Sequence, residues 1–589
     1  MKSLMIVCLL LLAPCAARGQ ATSGTEKGRA ASARGGAITG RVVGEDGRPL
    51  ADAAIQVFRM YMRVPGPPLS ASTDADGKFR VPDLEPGLYT VVALMPGFIN
   101  SQDARAVSGD EARYYRPGDD VSVTLTKGGV ITGTVRDDAG EPVVAISVRA
   151  VRVRDEAGLT MPSSRFQGFQ PERMTDDRGV YRIYGLPPGS YILIAGGGQR
   201  LFGSFNAYLG DAPTYFPSST RDTAGEVNVR NGEEVSGVDI RFRDERGHTV
   251  SGTISGSMAD TMRYGVSVMM RRVGSSEMDW ASYPNQEARQ SFSFTGVADG
   301  EYELTAQQWG GGDRPSFSSI PRRITVRGAD VTGLALTLAP LASIEGRIQL
   351  EPAPAEPCAK SARAATVQEA AVNARRDEKP GVKEPLSTPF SFALGATPNE
   401  RGEFSILNLL EGNYRLKVRL PAEWWYTRSL SLPGTQQPQP GGAPQKPGAA
   451  ASALTLKMGQ TLAGVAVQIA QDGGSIRGRV RPAAEGLALP TNLKVHLVPT
   501  ERERAEDLLR YSEVVPGDDG AFSLTNLAPG RYKLLVRAIT EEELTSTRPL
   551  AWDASARAGL RREADAATPL ELKPCGRVAD YELRYAPVK

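Results

Sequence analysis

The sequence predicts an all-β chain, a tandem array of about five β-sandwich modules with short helical insertions. Three observations carry this. An apolar opening phrase centred on Gly recurs five times, a closing Gly-x-Tyr phrase follows each copy in fixed order, and short alternating runs between them are punctuated by Gly, Pro and Asp turns. The openings are Ile38-Thr39-Gly40, Ile131-Thr132-Gly133, Val250-Ser251-Gly252, Ile344-Glu345-Gly346 and Ile476-Arg477-Gly478. The closings are Gly87-Leu88-Tyr89, Gly189-Ser190-Tyr191, Gly300-Glu301-Tyr302, Gly412-Asn413-Tyr414 and Gly530-Arg531-Tyr532.

The first repeat shows the logic. Ile38, Gly40 and Val42 alternate with polar neighbours, the period-2 pattern of a half-buried strand. Gly47 and Pro49 make a turn, and Ala54 to Phe58 is a second strand. The turn Asp74-Ala75-Asp76-Gly77 leads into the alternating Lys78 to Val81, then a corner at Pro86-Gly87. Tyr89 to Ala93 is expected as a strand buried on both sides, and Val121 to Leu125 as the last strand. The Gly of each closing lets the chain turn sharply. The Tyr two places on can bury its ring and bond its hydroxyl back to the corner backbone, a stabilising tyrosine corner at Tyr89, Tyr191, Tyr302, Tyr414 and Tyr532. The third copy lacks the Asp-Gly turn and keeps only Ser291-Phe292-Ser293-Phe294.

The pattern G-x-V…D-x-x-G-x-[FY]-x-[IVL]-x-x-[LI]-x-x-G-x-Y resembles the carboxypeptidase regulatory-like domain, a transthyretin-like, Ig-like sandwich close to the Cna-B repeats of bacterial surface proteins. The resemblance is strongest in copies one, two and five. It implies a non-catalytic module, and the related starch-binding-like sandwiches imply carbohydrate binding as an alternative. Some Cna-B modules carry a Lys-to-Asn crosslink, but Arg41, Thr134, Thr253, Arg347 and Arg479 stand on the first strands here. A zinc carboxypeptidase needs a His-x-x-Glu pair, and neither His248 nor His496 has a Glu three places on. No metal, cofactor or catalytic residue is expected.

Residues 1–19 have the basic start, short apolar core and small-residue end of a secretory signal. Cys15 is the residue a lipoprotein reading would use. Residues 20–36 are a flexible tether. The expected modules are 37–128, 129–246, 247–341, 342–471 and 472–589. The fourth carries an inserted segment, 352–388, whose alanine-rich run 359–376 is expected to be helical, and a low-complexity linker, 433–451. The fifth carries a short surface helix, 551–566.

Removing Lys2 and Arg18 with the signal leaves basic and acidic residues in balance, so no nucleic-acid partner is expected. No segment of the mature chain is apolar enough to span a membrane. Two cysteines then remain, Cys358 and Cys575; they either staple the fourth and fifth modules by a disulfide or stay as thiols. The acids at Asp74, Asp76 and Glu85 mimic calcium-loop spacing, but Phe79 replaces the required Gly and a turn is the better reading. Gly196-Gly197-Gly198 lacks the following helix that phosphate cradling needs.

The aromatics Trp424, Trp425, Tyr426 and Trp309 lie on loops after closing strands. Exposed, they would stack on a sugar or enter a partner's groove; alternatively they cover a module end or an inter-module interface. The leading expectation is an exported scaffold or adhesive protein, a stiff rod of stacked sandwiches with a protein or glycan of the cell envelope as partner. It would sit in the periplasm, at the outer membrane or outside the cell. A carbohydrate-binding protein and an accessory subunit of an outer-membrane transport machine are the alternatives.

Overall fold

The computed structural model describes residues 36–586 apart from 61–66, 101–113, 162–171, 198–207, 209, 257–264, 276–277, 284–290, 309, 311–315, 357, 359–363, 378–394, 433–452, 485–488, 491, 518, 541–542 and 544–547. The signal, almost all of the tether, Trp309 and the linker therefore lie outside the described residues, as do 357, 359–363 and 378–388 of the inserted segment.

The chain is built of β-sandwiches in tandem. In each repeat the opening strand lies at the centre of one sheet. It pairs antiparallel with the strand after the Asp-Gly turn and parallel with the last strand of the repeat. The facing sheet holds the second strand paired with the Gly-x-Tyr strand. Five large apolar cores result, one per repeat.

The opening Gly is explained by its neighbours. In every repeat it sits directly across from an aromatic residue: Gly40 from Phe79, Gly133 from Tyr181, Gly252 from Phe292, Gly346 from Phe404, Gly478 from Phe522. A Cβ at Gly40 would lie 2.1 Å from the Val121 carbonyl and 2.7 Å from the Phe79 ring. The glycine thus lets the parallel strand come close and lets the ring lie over bare backbone. Burying that ring contributes roughly 1.5–3 kcal/mol. Ser291 to Val297 keeps this register in the third repeat, so its loss of the Asp-Gly turn does not cost it the pairing.

Two expectations are corrected. Tyr89–Leu94 is not buried on both sides: Tyr89, Val91 and Ala93 face the core and the alternate residues are more exposed. Ala371–Arg376 is a strand, not a helix. Its Val372 and Ala374 are buried in the fourth core, and a place in the centre of a sheet outweighs alanine's helix propensity. The 551–566 segment forms a helix, Ala554–Glu563, capped by the Asp553 carboxylate. Leu560 and Ala564 pack on Val498 of the fifth sandwich.

Nor are the repeats only strung end to end as a rod. Sequential neighbours touch through backbone bonds, Gly247 N to Gly210 O at 3.0 Å and Gly473 N to Trp424 O at 2.8 Å among them. The first and fourth repeats also meet. Arg116 reaches the fully buried Glu369 at 3.7 Å, and the Arg419 guanidinium lies 4.4 Å above the Tyr114 ring. The Arg116 cation offsets part of the desolvation of the buried Glu369 carboxylate, so this pair ties the first repeat to the fourth.

Candidate functional site: the joint between the fourth and fifth repeats

Ala422, Glu423 and Trp424 turn the chain out of the fourth repeat's closing strand, with Trp425 N bonded to Ala422 O at 3.1 Å. The turn aims the next two rings inward. Trp425 is 2% exposed and belongs to the fourth core; Trp424 is half-buried against the same core. Tyr426 starts the edge strand Tyr426–Ser431 and packs on Ala470 and on Ala528 of the fifth repeat. Burial pushes the Tyr426 hydroxyl up from its ordinary value. Trp425 and Tyr426 thus fill a module end and its joint, and Trp424 stands half-buried beside them.

The fifth repeat answers with polar groups. Asn526, held at a left-handed φ of 60°, donates its side-chain amide to Ala422 O at 2.6 Å and Trp425 O at 2.9 Å. Its backbone N–H reaches Glu423 O at 3.1 Å. Arg477 pairs with the Glu423 carboxylate. Gly473 N donates to Trp424 O at 2.8 Å, and Cys575 N donates to Asp472 O at 2.9 Å. The Cys358 and Cys575 sulfurs are bonded to each other, beside a small pocket lined by Trp424, Glu423 and Arg577. A second brace lies apart: Asp377 accepts from Arg415 and from Arg548 of the fifth repeat, each at 2.7 Å. Arg415 also stands 5.4 Å from the Trp552 ring centre. Apolar filling, charge pairs and a covalent link together fix one module against the next. The set contains no nucleophile beside a general base.

The corner tyrosines are equally committed to structure. Each hydroxyl donates to the carbonyl four residues back: Tyr89 to Glu85 at 2.9 Å, Tyr191 to Pro187 at 2.5 Å, Tyr302 to Ala298 at 2.8 Å, Tyr414 to Leu410 at 2.9 Å, Tyr532 to Ala528 at 2.8 Å. Burial raises the pKa of Tyr89, Tyr191 and Tyr532, which keeps these hydroxyls protonated as donors.

Sequence reasoning missed a partner to each corner. Arg59, Arg152, Arg272 and Arg376 each stand directly across the sheet from the corner Tyr. Arg59, Arg152 and Arg376 donate to the corner carbonyls of Pro86, Pro188 and Glu411, while Arg272 reaches the Tyr302 hydroxyl at 3.3 Å. In the fifth repeat Pro499 takes that position, and Arg510 arrives instead from a neighbouring single turn to bond Pro529 O and the Tyr532 hydroxyl. The signal was there: an Arg on the second strand of four copies. Its pairing with a Tyr some 30 or more residues on becomes visible only in the sheet register.

Among the described residues no group of three or more His, Cys, Asp and Glu is placed to hold a metal. Asp74 Oδ1 accepts the amides of Asp76 and Lys78 at 3.0 and 2.8 Å, as a turn requires. His496 is buried under the fifth repeat's helical segment, 3.6 Å from Glu513, and burial drops its pKa from 6.5 to about 3. No helix among the described residues is long and apolar enough to cross a membrane.

Residues 37–115 match the family model of the carboxypeptidase regulatory-like domain. No curated protein matches the chain. Among solved structures, it is similar to the minor pilin of Streptococcus agalactiae, at 14% identity over 36% of this chain and 96% of that one, with a TM-score of 0.19. The major pilin subunit of Bacillus cereus gives 13% identity over 51% of this chain and 99% of that one, with a TM-score of 0.12. The pilus adhesin SpaC of Lactobacillus rhamnosus GG gives 12% identity over 52% and 44%, with a TM-score of 0.13. Overlays this loose do not extend to what the chain does.

Proposed function

We propose that this chain, whose residues 37–115 are a carboxypeptidase regulatory-like domain, is an exported, non-catalytic scaffold of the cell envelope that holds a partner at a set position. One observation supports this reading above the others. The residues that make the repeats recognisable, the corner tyrosines, their arginines and the joint aromatics, are all occupied in holding the modules and their joint together. A covalent link across the fourth and fifth repeats suits a protein working in an oxidising compartment and under load. Recognition then falls to the loops at module ends, as is usual for sandwich scaffolds, with a protein or glycan of the envelope as ligand.

The test is fractionation of the native host combined with thiol trapping. Intact cells are treated with a membrane-impermeant alkylating reagent, then lysed, separated and probed for the chain. The reading expects the chain in the envelope or external fraction with Cys358 and Cys575 unlabelled until reduced. A chain confined to the cytosol with both thiols free overturns it.

A further inference from the structure

The last strand of each sandwich lies beside the opening strand, and its far edge needs cover. In the first repeat Asp120–Lys127 is covered by Phe98–Asn100, and in the fourth Thr461–Ala470 is covered by Tyr426–Ser431; both covering strands run antiparallel and come from the segment after the Gly-x-Tyr strand. In the fifth repeat that segment leads to the helix Ala554–Glu563 instead, which packs at Val498. Among the described residues no strand pairs with the outer edge of Arg577–Tyr585.

The core shows the consequence. Val121, Val123 and Leu125 of the first repeat are 1–4% exposed, and Val465, Val467 and Ile469 of the fourth are 0–1% exposed. Of their counterparts, Tyr585 is 7% exposed, while Tyr581 and Leu583 pack on the fifth core but remain only half-buried. Among the described residues no strand covers the third repeat's Val331–Thr337 either, yet its Leu334 and Leu336 are buried. The edge at Arg577–Tyr585 is thus the one of these whose core residues are left showing.

We propose that this edge pairs with the same edge of a second copy of the chain, antiparallel about a two-fold axis at Leu583. The backbone supports the register. Tyr585 turns its carbonyl to Ala483 at 2.8 Å, so the alternation of a parallel ladder turns Tyr581, Leu583 and Tyr585 toward the opening strand. Glu582 and Arg584 therefore turn their amides and carbonyls to the open side, where an antiparallel strand would exchange bonds with them. Centred on Leu583, the register places Glu582 opposite Arg584 of the other copy, twice. It also sets Tyr581 opposite Tyr585 of the other copy on the inner face, extending the apolar cover that the fourth repeat obtains from Tyr426–Ser431. Both pairings are self-complementary, as a two-fold interface demands. The positive φ at Asp580 (55°) breaks the ladder just before this run and limits the paired stretch to the residues that follow.

Sedimentation velocity on the mature chain across a concentration series tests this. The wild type is expected to form a dimer. Glu582→Arg and Arg584→Glu each place like charges opposite one another twice and are expected to weaken the dimer about tenfold. The double variant Glu582→Arg/Arg584→Glu restores both pairs and the affinity. Glu582 also lies 3.8 Å from Arg481 within its own chain, an effect that the double variant would not rescue. Arg577→Glu, on the same strand but outside the paired run, is expected to leave the dimer unchanged, and circular dichroism checks that each variant is folded. A wild type that is monomeric throughout, or a double variant no tighter than the singles, overturns the proposal.

Discussion

Replacing both Cys358 and Cys575 by Ser opens the link across the fourth and fifth repeats. The bond joins residues 217 apart in sequence, and a chain-entropy estimate for a loop of that length is about 5 kcal/mol. Measured values for disulfides usually fall at about 2–4 kcal/mol, because the unfolded chain keeps some structure and the loop here contains a folding unit of its own. For a block of this size, that range corresponds to a drop of roughly 5–15 °C in melting temperature. The loss should be confined to the two linked repeats, since the other three cores close without the bond. Tryptophan fluorescence suits the assay: Trp424 and Trp425 sit at the joint and Trp552 lies beside Arg415 across the second brace. Calorimetry run in parallel would show one transition moving while the rest stay. An oxidised wild type and the double Ser variant that melt together at the joint would refute the assignment of the bond as a brace between modules.

Four further outcomes follow from the geometry. Tyr414→Phe removes the bond to Leu410 O and should cost about 1 kcal/mol, read as a shift in urea midpoint without a change in slope. Gly478→Ala would bring a Cβ to 2.1 Å from Tyr581 O and should destabilise the fifth repeat by more than about 2 kcal/mol, whereas Gly559→Ala, in a helix with nothing within 4 Å, should stabilise it by about 0.5–1 kcal/mol. His496 stays neutral in the fold to about pH 3 while the unfolded chain protonates it near 6.5. Its contribution is full above pH 6.5 and is lost as pH falls toward 3, by up to about 5 kcal/mol, and His496→Leu should flatten that part of the stability–pH curve. Asn526→Ala removes two bonds to the Ala422 and Trp425 carbonyls and forces a left-handed φ on Ala; limited proteolysis should then cut the joint faster than in wild type.

The repeats were legible because each carries its reasons locally. An opening Gly, an aromatic after the turn and a Gly-x-Tyr corner all serve one sandwich, and period-2 alternation places their side chains inside. The alanine-rich strand Ala371–Arg376 was not legible, since its composition favours a helix and only a sheet waiting for a small-residue strand decides otherwise. The arginines of the corners were hidden for a related reason: Arg376 and Tyr414 are neighbours only once the register is set. Of the candidate site, the sequence located the aromatic run and the two cysteines but not which way the rings face.

Sequence alone thus determined the module, its order and its repetition, because the turns, glycines and alternation act over a few residues. Tertiary structure decided the rest: that Trp425 is buried, that Asn526 and Arg477 clasp the loop before it, that the first repeat's Arg116 reaches Glu369 in the fourth, and that no strand among the described residues covers the outer edge of the final one. Those contacts join residues from 54 to more than two hundred positions apart, where no periodicity in the chain can register which surfaces meet.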